Sequence, residues 1–385
     1  VNVPARYLVG ISRYTDADAA DLRAFQERMY GDGARQLDGE RFAWLFERNP
    51  SRSPDGLGLW ICRRDGEVVG QQAEIPFALS AAGRVRPAAW TIDLMVDDAW
   101  RIRGVGPGLM ATQLAERTLA GGLNLSDKGR RTYERSGWTD LGVVPVYIRP
   151  LDAGRAMRLA RLPDRVQRLA PVAGPALRAA DLVLGTAARG MGLRLEPVGR
   201  FGDVADEVDG VWAAAAPDYP VLAVRDAATT RWRLDERPDR DRLRRFVLRR
   251  RGEALGYVAF RPTVGADDPA AVVVDYLAPV RWVAPLLTLA AVEARRDGAV
   301  ALLCKTRNPG ADRALRRAGF VRRERGTDPP IRFMFRCDES EVPEVARLVT
   351  DPDAWLVTSA DSDLEYGTAA PAGASPSTNG QAVPS

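Results

Sequence analysis

The chain repeats itself, and the repeat limits the folds open to it. Asp93-Leu94 recurs as Asp275-Tyr276, Trp100 as Trp282, and Tyr133-Glu-Arg-Ser-Gly-Trp138 as Leu315-Arg-Arg-Ala-Gly-Phe320. One offset of 182 residues superimposes all of these pairs without a gap. Upstream, Trp60–Gly70 matches Phe246–Gly256, including an Arg-Arg-x-Gly-Glu core. A register held that long marks two copies of one folding unit. At 385 residues the chain has room for two or three domains and a sizeable core.

Within the first copy the periodicities alternate. Tyr7 to Ile11 reads as an early strand. Leu22, Phe25 and Met29 fall at helical spacing, as do Phe42, Leu45 and Phe46, before Asn49-Pro50 stops the second run. Leu57–Cys62 and Glu67–Leu79 read as strands joined through Asp65-Gly66, a good hairpin turn. Ala88–Val96 is the next strand. A helix is expected after it, ending near Gly121-Gly122. A short strand at Leu123 and a helix stopped by Gly137 follow, and Trp138–Arg149 supplies the last strands. The domain boundaries expected are 1–150, a helical connector at 151–195, a second domain at 196–340, an extension at 341–366 and a disordered tail at 367–385. That tail is Ala, Pro, Gly, Ser and Thr with little to bury.

The stretch that carries chemistry is Ile92–Met110. A short apolar run meets a polar turn and then a glycine-rich corner, Arg101-Ile102-Arg103-Gly104-Val105-Gly106-Pro107-Gly108. Leu109, Leu114 and Leu119 among polar residues read as a helix beyond it. Strand, loop and helix N-terminus make an anion site from free N–H groups and the helix dipole. Gly104 and Gly106 let a phosphate approach the backbone, and Arg101 and Arg103 add charge. Copy two has Val283-Ala-Pro-Leu-Leu-Thr288 at the same place, without a glycine.

Arg101, Gly104 and Gly106 resemble the three fixed positions of the R-x-x-G-x-G/A loop of the GNAT acyltransferases. The resemblance covers most of residues 40–150 and 230–336. It implies an α/β (mixed α+β) chain of two tandem GNAT domains, each a central mixed, mostly antiparallel sheet flanked by helices. The first would be intact and the second degenerate. It implies acetyl-CoA or another acyl-CoA as co-substrate, held by Leu94, Met95, Val96, the loop 101–108 and Ser126, where the family usually has Asn. Tyr133 resembles the family's tyrosine that protonates the coenzyme A sulfur; copy two has Leu315 there. The two-copy plan is also similar to mycothiol synthase and to FemX-type aminoacyl transferases. Trp355–Asp363 resembles, more loosely, tandem proteins of bacterial polysaccharide and secondary-metabolite pathways.

Composition narrows the remaining roles. The chain has no His, which excludes His triads, His bases and His metal sites. A base must be a carboxylate: Glu74, Asp93, or Asp361 and Asp363 folding back from the C-terminus. Asp93 has its counterpart Asp275 in the copy without a cradle, which favours structure over catalysis. Cys62, Cys304 and Cys337 are scattered and form no C-x-x-C pair, so no metal is expected and a reducing, cytoplasmic setting fits. A net charge of +4 is too weak to argue for nucleic acid. No signal-peptide pattern and no apolar run of membrane-spanning length is read. Arg155, Arg158, Arg161, Arg165 and Arg168 line one helical face, which suits either an anionic membrane surface or a solvated connector. The functional expectation is an acyl-CoA-dependent N-acyltransferase acting on a small-molecule or sugar amine. The alternatives are a FemX-like aminoacyl transferase and a non-catalytic acyl-CoA-binding protein. The oligomeric state is left open.

Overall fold

Asp65 and Gly66 both take positive φ (51° and 85°), as Arg251 and Gly252 do in the second copy (52° and 86°). That pair of left-handed residues matches the twist of a two-residue hairpin. Each hairpin then carries a bulge at the same place, between Cys62 and Arg63 and between Leu248 and Arg249. The repeat seen in the sequence is thus a repeat of backbone geometry.

The computed structural model describes residues 3–125, 127–159, 164–168, 170–263, 269–323 and 330–363. The first half contains α1 (Ala5–Leu8), β1 (Ile11–Arg13), α2 (Ala19–Tyr30), α3 (Gly39–Phe42) running into a π-helical turn (Ala43–Glu47), β2 (Leu59–Arg64), β3 (Glu67–Ala81), β4 (Arg84–Val96), α4 (Val105–Leu114), β5 (Leu119–Leu123), α5 (Asp127–Arg135), β6 (Thr139–Val143) and β7 (Val146–Pro150). Helices α6 (Ala153–Leu159), α7 (Asp164–Gln167) and α8 (Ala170–Gly190) connect the halves. The second half contains β8 (Leu193–Val198), α9 (Ala205–Ala215), β9 (Val221–Ala223), α10 (Ala227–Thr230), β10 (Arg244–Arg250), β11 (Glu253–Pro262), β12 (Ala271–Leu277), α11 (Val280–Arg296), β13 (Ala301–Lys305), α12 (Pro309–Arg317), β14 (Val321–Arg323) and β15 (Arg332–Cys337). Helix α13 (Pro343–Val349) and β16 (Trp355–Leu356) close the described chain.

Two elements differ from the sequence reading. The first turn of chain is helical at Ala5–Leu8, and the strand starts only at Ile11. Helix α4 ends at Leu114, and Gly121-Gly122 lie inside β5. There the absence of a Cβ is required: one at Gly121 would strike the Trp90 ring on the neighbouring strand.

Both sheets are mixed and mostly antiparallel: the first has two parallel pairs, β4–β5 and β9–β16, and the second has one, β12–β13. The first runs β1-β2-β3-β4-β5-β15-β6, and the second β8-β10-β11-β12-β13-β7-β14. Along these paths the two orders are the same except that the halves have exchanged one strand; β9 and β16 extend the first sheet beside the end of β3. β7 sits between β13 and β14, pairing Cys304 with Tyr147, and β15 sits between β5 and β6, pairing Met334 with Gly122. The expectation that Trp138–Arg149 completes the first sheet is therefore corrected. The strand alternation was right, but its hydrogen-bonding partners lie in the other half, which no local pattern encodes.

Trp44 and Trp232, at matching places in the two halves, pack together with ring centroids 5.8 Å apart. Trp44 Nε1 donates to the Trp232 carbonyl (2.9 Å), and Trp232 Nε1 donates to the Trp44 carbonyl (2.7 Å). Both sit in π-helical turns preceded by an Asp cap, Asp38 and Asp226, and followed by Pro50 and Pro238. Each buried indole thus satisfies a backbone carbonyl of the other half. Among the described residues, no helix is long and apolar enough to cross a membrane.

Candidate functional site

In the first half β4 leads into the loop through Asp97, whose carboxylate accepts from Ala99 N–H (3.1 Å). A 3₁₀ turn covers Asp98–Arg103, Gly104 takes φ +81°, and α4 starts afresh at Val105. The left-handed Gly104 is what breaks one helix and begins another. Helix α4 has no side-chain cap, so its first-turn N–H groups remain for a ligand or solvent. Arg101 braces the loop from within, donating from Nε to the Val96 carbonyl (3.1 Å) and pairing with Asp98. Arg103 lies over the Trp100 ring, 4.6 Å from its centroid. Ile102 is almost wholly exposed. A Cβ at Gly106 would meet only Val96 Cγ2, at 3.7 Å, so the backbone there is approachable. Gly104 and Gly108 face the other way: a Cβ on either would run into Tyr7 of α1.

The second half departs at this point. Its equivalent segment is continuous helix, α11 running from Val280 through Val283 and Thr288 to Arg296. No second helix start is created. The start that exists is filled by the chain, because Asp218 Oδ2 accepts from Val280 N–H (2.8 Å). That start lies at the counterpart of Asp98, and the counterparts of Val105 and Gly106 are inside the helix with no free start at all.

Strand β4 carries the other predicted residues. Its parallel ladder with β5 ends at Trp90–Gly121, while the strand continues to Val96. Leu94 and Met95 lie past that end, partly accessible, and Val96 is buried. Such a divergence offers strand backbone to an extended ligand arm. A bulge falls between Ile92 and Met95, and Asp93 there takes φ +51°. Asp93 turns to the face that carries α2 and α3. Its carboxylate accepts from Gln36 Nε2 (2.8 Å) and Arg41 Nη2 (2.9 Å). The same Arg41 nitrogen reaches Asp363 Oδ2 (2.8 Å), and Arg35 pairs with that oxygen at 2.9 Å. Burial alone would raise the Asp363 pKa, but Arg35 and Arg41 outweigh it and hold it below the ordinary carboxylate value. Burial, reinforced by Asp93, pushes the neighbouring Tyr30 phenol up.

Asp363 arrives from the far end of the chain, as the sequence reading allowed. β16 pairs in parallel with β9, and Val357 bridges to Arg307. Thr358 Oγ1 donates to Asp275 Oδ1 (2.7 Å), and Arg225 holds both Asp275 (3.2 Å) and Asp361 (2.8 Å). Arg233 donates to the Ser362 carbonyl (3.0 Å). Asp275, the counterpart of Asp93, thus anchors the strap whose next acidic residue reaches Asp93's partner.

The remaining predicted residues lie elsewhere. Glu74 has no exposed surface. One oxygen accepts from Arg117 Nε (2.9 Å) and Nη2 (2.5 Å), the other from Gln113 Nε2 (3.0 Å), which Thr91 also contacts. This locks Glu74 between β3 and α4, apart from Asp93. Tyr133 is buried among Met110, Leu114, Trp138 and Met334, its ring edge-on to Trp138 at 4.6 Å. Burial raises its pKa, so it stays protonated. Ser126 lies outside the described residues. A cleft of about 710 Å³ opens between Tyr14–Asp16 and Glu47–Leu57. Sequence reasoning missed Arg41, Gln36, Arg35 and Asp218. The parallel Asp38–Pro50 and Asp226–Pro238, with Trp44 over Trp232, was the available signal for the first three.

No family model and no curated protein matches the chain. Solved structures do. A GCN5-related N-acetyltransferase from Anabaena variabilis superposes with TM-score 0.54 at 14% identity, over 85% of this chain and 72% of that one. A probable N-acyltransferase from Enterococcus faecalis gives 0.57 at 12%, over 86% and 72%. Saccharomyces cerevisiae N-myristoyltransferase, solved with bound myristoyl-CoA, gives 0.53 at 13%, over 85% and 83%. The two sheets and their helices are therefore a GNAT-type fold. It is present twice in this chain, which carries the tandem arrangement over most of its length.

Proposed function

We propose that the protein is an acyl-CoA-dependent N-acyltransferase acting on a small-molecule or sugar amine. The observation that carries this reading is the asymmetry between the halves. One helix start is opened by Gly104 and left uncapped; at the equivalent place the second half runs as continuous helix. The first half fits a pyrophosphate and the second does not, which supports an intact and a degenerate copy.

An acyl-CoA, when bound, supplies an activated thioester carbonyl. The residues of this chain do the rest. The Val105 and Gly106 N–H groups and Arg103 hold the diphosphate; Leu94, Met95 and Val96 offer strand backbone to the arm. Asp93 and Asp363, charge-balanced by Arg41 and Arg35, offer the route for the incoming amine's proton, replacing Glu74 in that role. The Tyr133 phenol, protonated in its apolar surround, is the proton donor to the leaving thiolate. Direct attack within a ternary complex fits the cysteines: Cys62 and Cys304 are buried, and burial pushes up the thiols of Cys62 and of the half-buried Cys337, the latter to about 11, which suits none of them to a covalent relay. The Tyr14–Leu57 cleft is the candidate acceptor pocket.

A non-catalytic acyl-CoA binder is the second reading, favoured by the depth at which Tyr133 is buried. Calorimetry with acetyl-CoA and an amine screen with thiol-release detection test both. Gly104→Val should abolish binding, since a branched residue at φ +81° destroys the helix start. Unchanged affinity in that variant would remove the cradle assignment. Binding without thiol release for any amine would leave the second reading.

A further inference from the structure

Helix α8 is attached to the protein by the wrong residues for an ordinary amphipathic helix. Its buried positions are Asp181, Gly185 and Ala188. Gly185 faces Val292 of α11, and Asp181 is clamped between Arg149 and Arg295. Leu177 and Leu184 are half-buried on that side, but three further aliphatic side chains point outward: Val172 is 76% exposed, Leu182 67% and Val183 66%. At 3.6 residues per turn, Val172, Ala176, Ala179, Leu182, Val183 and Thr186 share that outer face, and it carries no charge over about 20 Å.

Arginines border it. Arg178 and Arg189 do so from the same helix, and Arg165 and Arg168 precede it in the chain; all four are exposed and, among the described residues, pair with no acidic group. Residues 151–192 contain seven arginines and three aspartates, a net +4. The whole chain is also +4, so the remainder is neutral and the charge is concentrated here. An apolar helix face bordered by arginine has two natural partners, an anionic lipid surface or a second copy of itself. Charge decides between them. Two copies would bring +4 against +4, whereas lipid phosphates neutralise the arginines as the aliphatic residues enter the acyl boundary.

We propose that α8 docks the protein on an anionic membrane surface, lying in the plane of the interface. The helix does not cross the bilayer; Val172, Leu182 and Val183 insert and Arg178 and Arg189 contact phosphates. The surface lies apart from the Arg101–Gly106 loop, so the docking stands whether or not the acyl-transfer reading does.

Sedimentation of the full chain with vesicles tests it. Vesicles of phosphatidylcholine and phosphatidylglycerol at three to one should bind, and pure phosphatidylcholine should not. The double substitution Leu182→Asp, Val183→Asp should cut the partition coefficient at least ten-fold, and Arg178→Glu with Arg189→Glu by a similar factor. All four side chains are solvent-facing, so circular dichroism melts should match the parent. No binding to the anionic vesicles overturns the proposal, and so does binding that survives Leu182→Asp, Val183→Asp. A parent chain that sediments as a dimer in solution, and becomes monomeric on that same double substitution, would show the face to be a self-interface instead.

Discussion

Glu74, Asp93 and Asp363 are three carboxylates of one residue class with different work to do, and their partners separate them. Glu74 is sealed from water with Arg117 and Gln113. Removing one member of a buried pair costs roughly 3 kcal/mol or more, because the other is left uncompensated. Glu74→Gln should therefore lower the denaturation midpoint by that order while the folded fraction keeps its acetyl-CoA affinity; a large loss of kcat at unchanged stability would return Glu74 to catalysis. Tyr133→Phe removes only a hydroxyl from an apolar cluster. It should leave stability and acyl-CoA affinity close to the parent and lower kcat by about 100-fold, the usual worth of a positioned proton donor. Asp363 titrates below an ordinary aspartate because Arg35 and Arg41 prefer its ionised form. Its contribution to stability is complete above about pH 4, the unfolded-state value, and is lost as pH falls through the lower folded-state value. Asp363→Asn should flatten the acid limb of the stability-versus-pH curve, measured by urea melts between neutral pH and about pH 3.

At the scale of elements, the decisive feature is the exchange of β7 and β15. A fragment ending at residue 150 would leave β7 without β13 and β14, and would leave β5 and β6 separated by an empty strand position. Unpaired backbone at both places invites aggregation. Residues 1–150 expressed alone should be insoluble or unfold without cooperativity, and co-expression with 151–385 should restore a soluble complex. A monomeric, cooperatively melting 1–150 fragment would mean that β7 can return to its own sheet. The exchange also explains why the sequence placed Trp138–Arg149 in the first domain. The pattern of β7 is that of a buried strand, and a buried strand looks the same in either sheet. The breaks of α4 were legible for the opposite reason: Gly104 is a local signal, since only glycine enters the left-handed region without strain.

For the whole molecule, the strap from Trp355 to Asp363 joins the halves across the Trp44–Trp232 seam. The second half holds it through Asp275, Arg225 and Arg233, and delivers Asp363 to Arg41 of the first. In Asp275→Asn, Thr358 and Arg225 lose their shared carboxylate 2.7 and 3.2 Å away. That variant should lower kcat for the amine and leave calorimetric acetyl-CoA affinity unchanged, because the Arg101–Gly106 loop is built without the strap. A loss of acetyl-CoA affinity in proportion to kcat would show that the strap supports the fold generally.

The sequence by itself determined the unit and its duplication, the hairpin turns at Asp65-Gly66 and Arg251-Gly252, and the place of the glycine loop. Each of these depends on near neighbours or on a register that can be counted. Only the tertiary structure decided which sheet β7 and β15 complete, that Glu74 is spent on Arg117, that Asp218 fills the second helix start, and that Asp361 and Asp363 serve opposite halves. Those outcomes join groups from 43 to more than 300 residues apart. Hydrogen bonding and charge pairing between such groups are fixed by where the fold brings them, and a buried carboxylate carries no mark in the sequence of the arginine that will meet it.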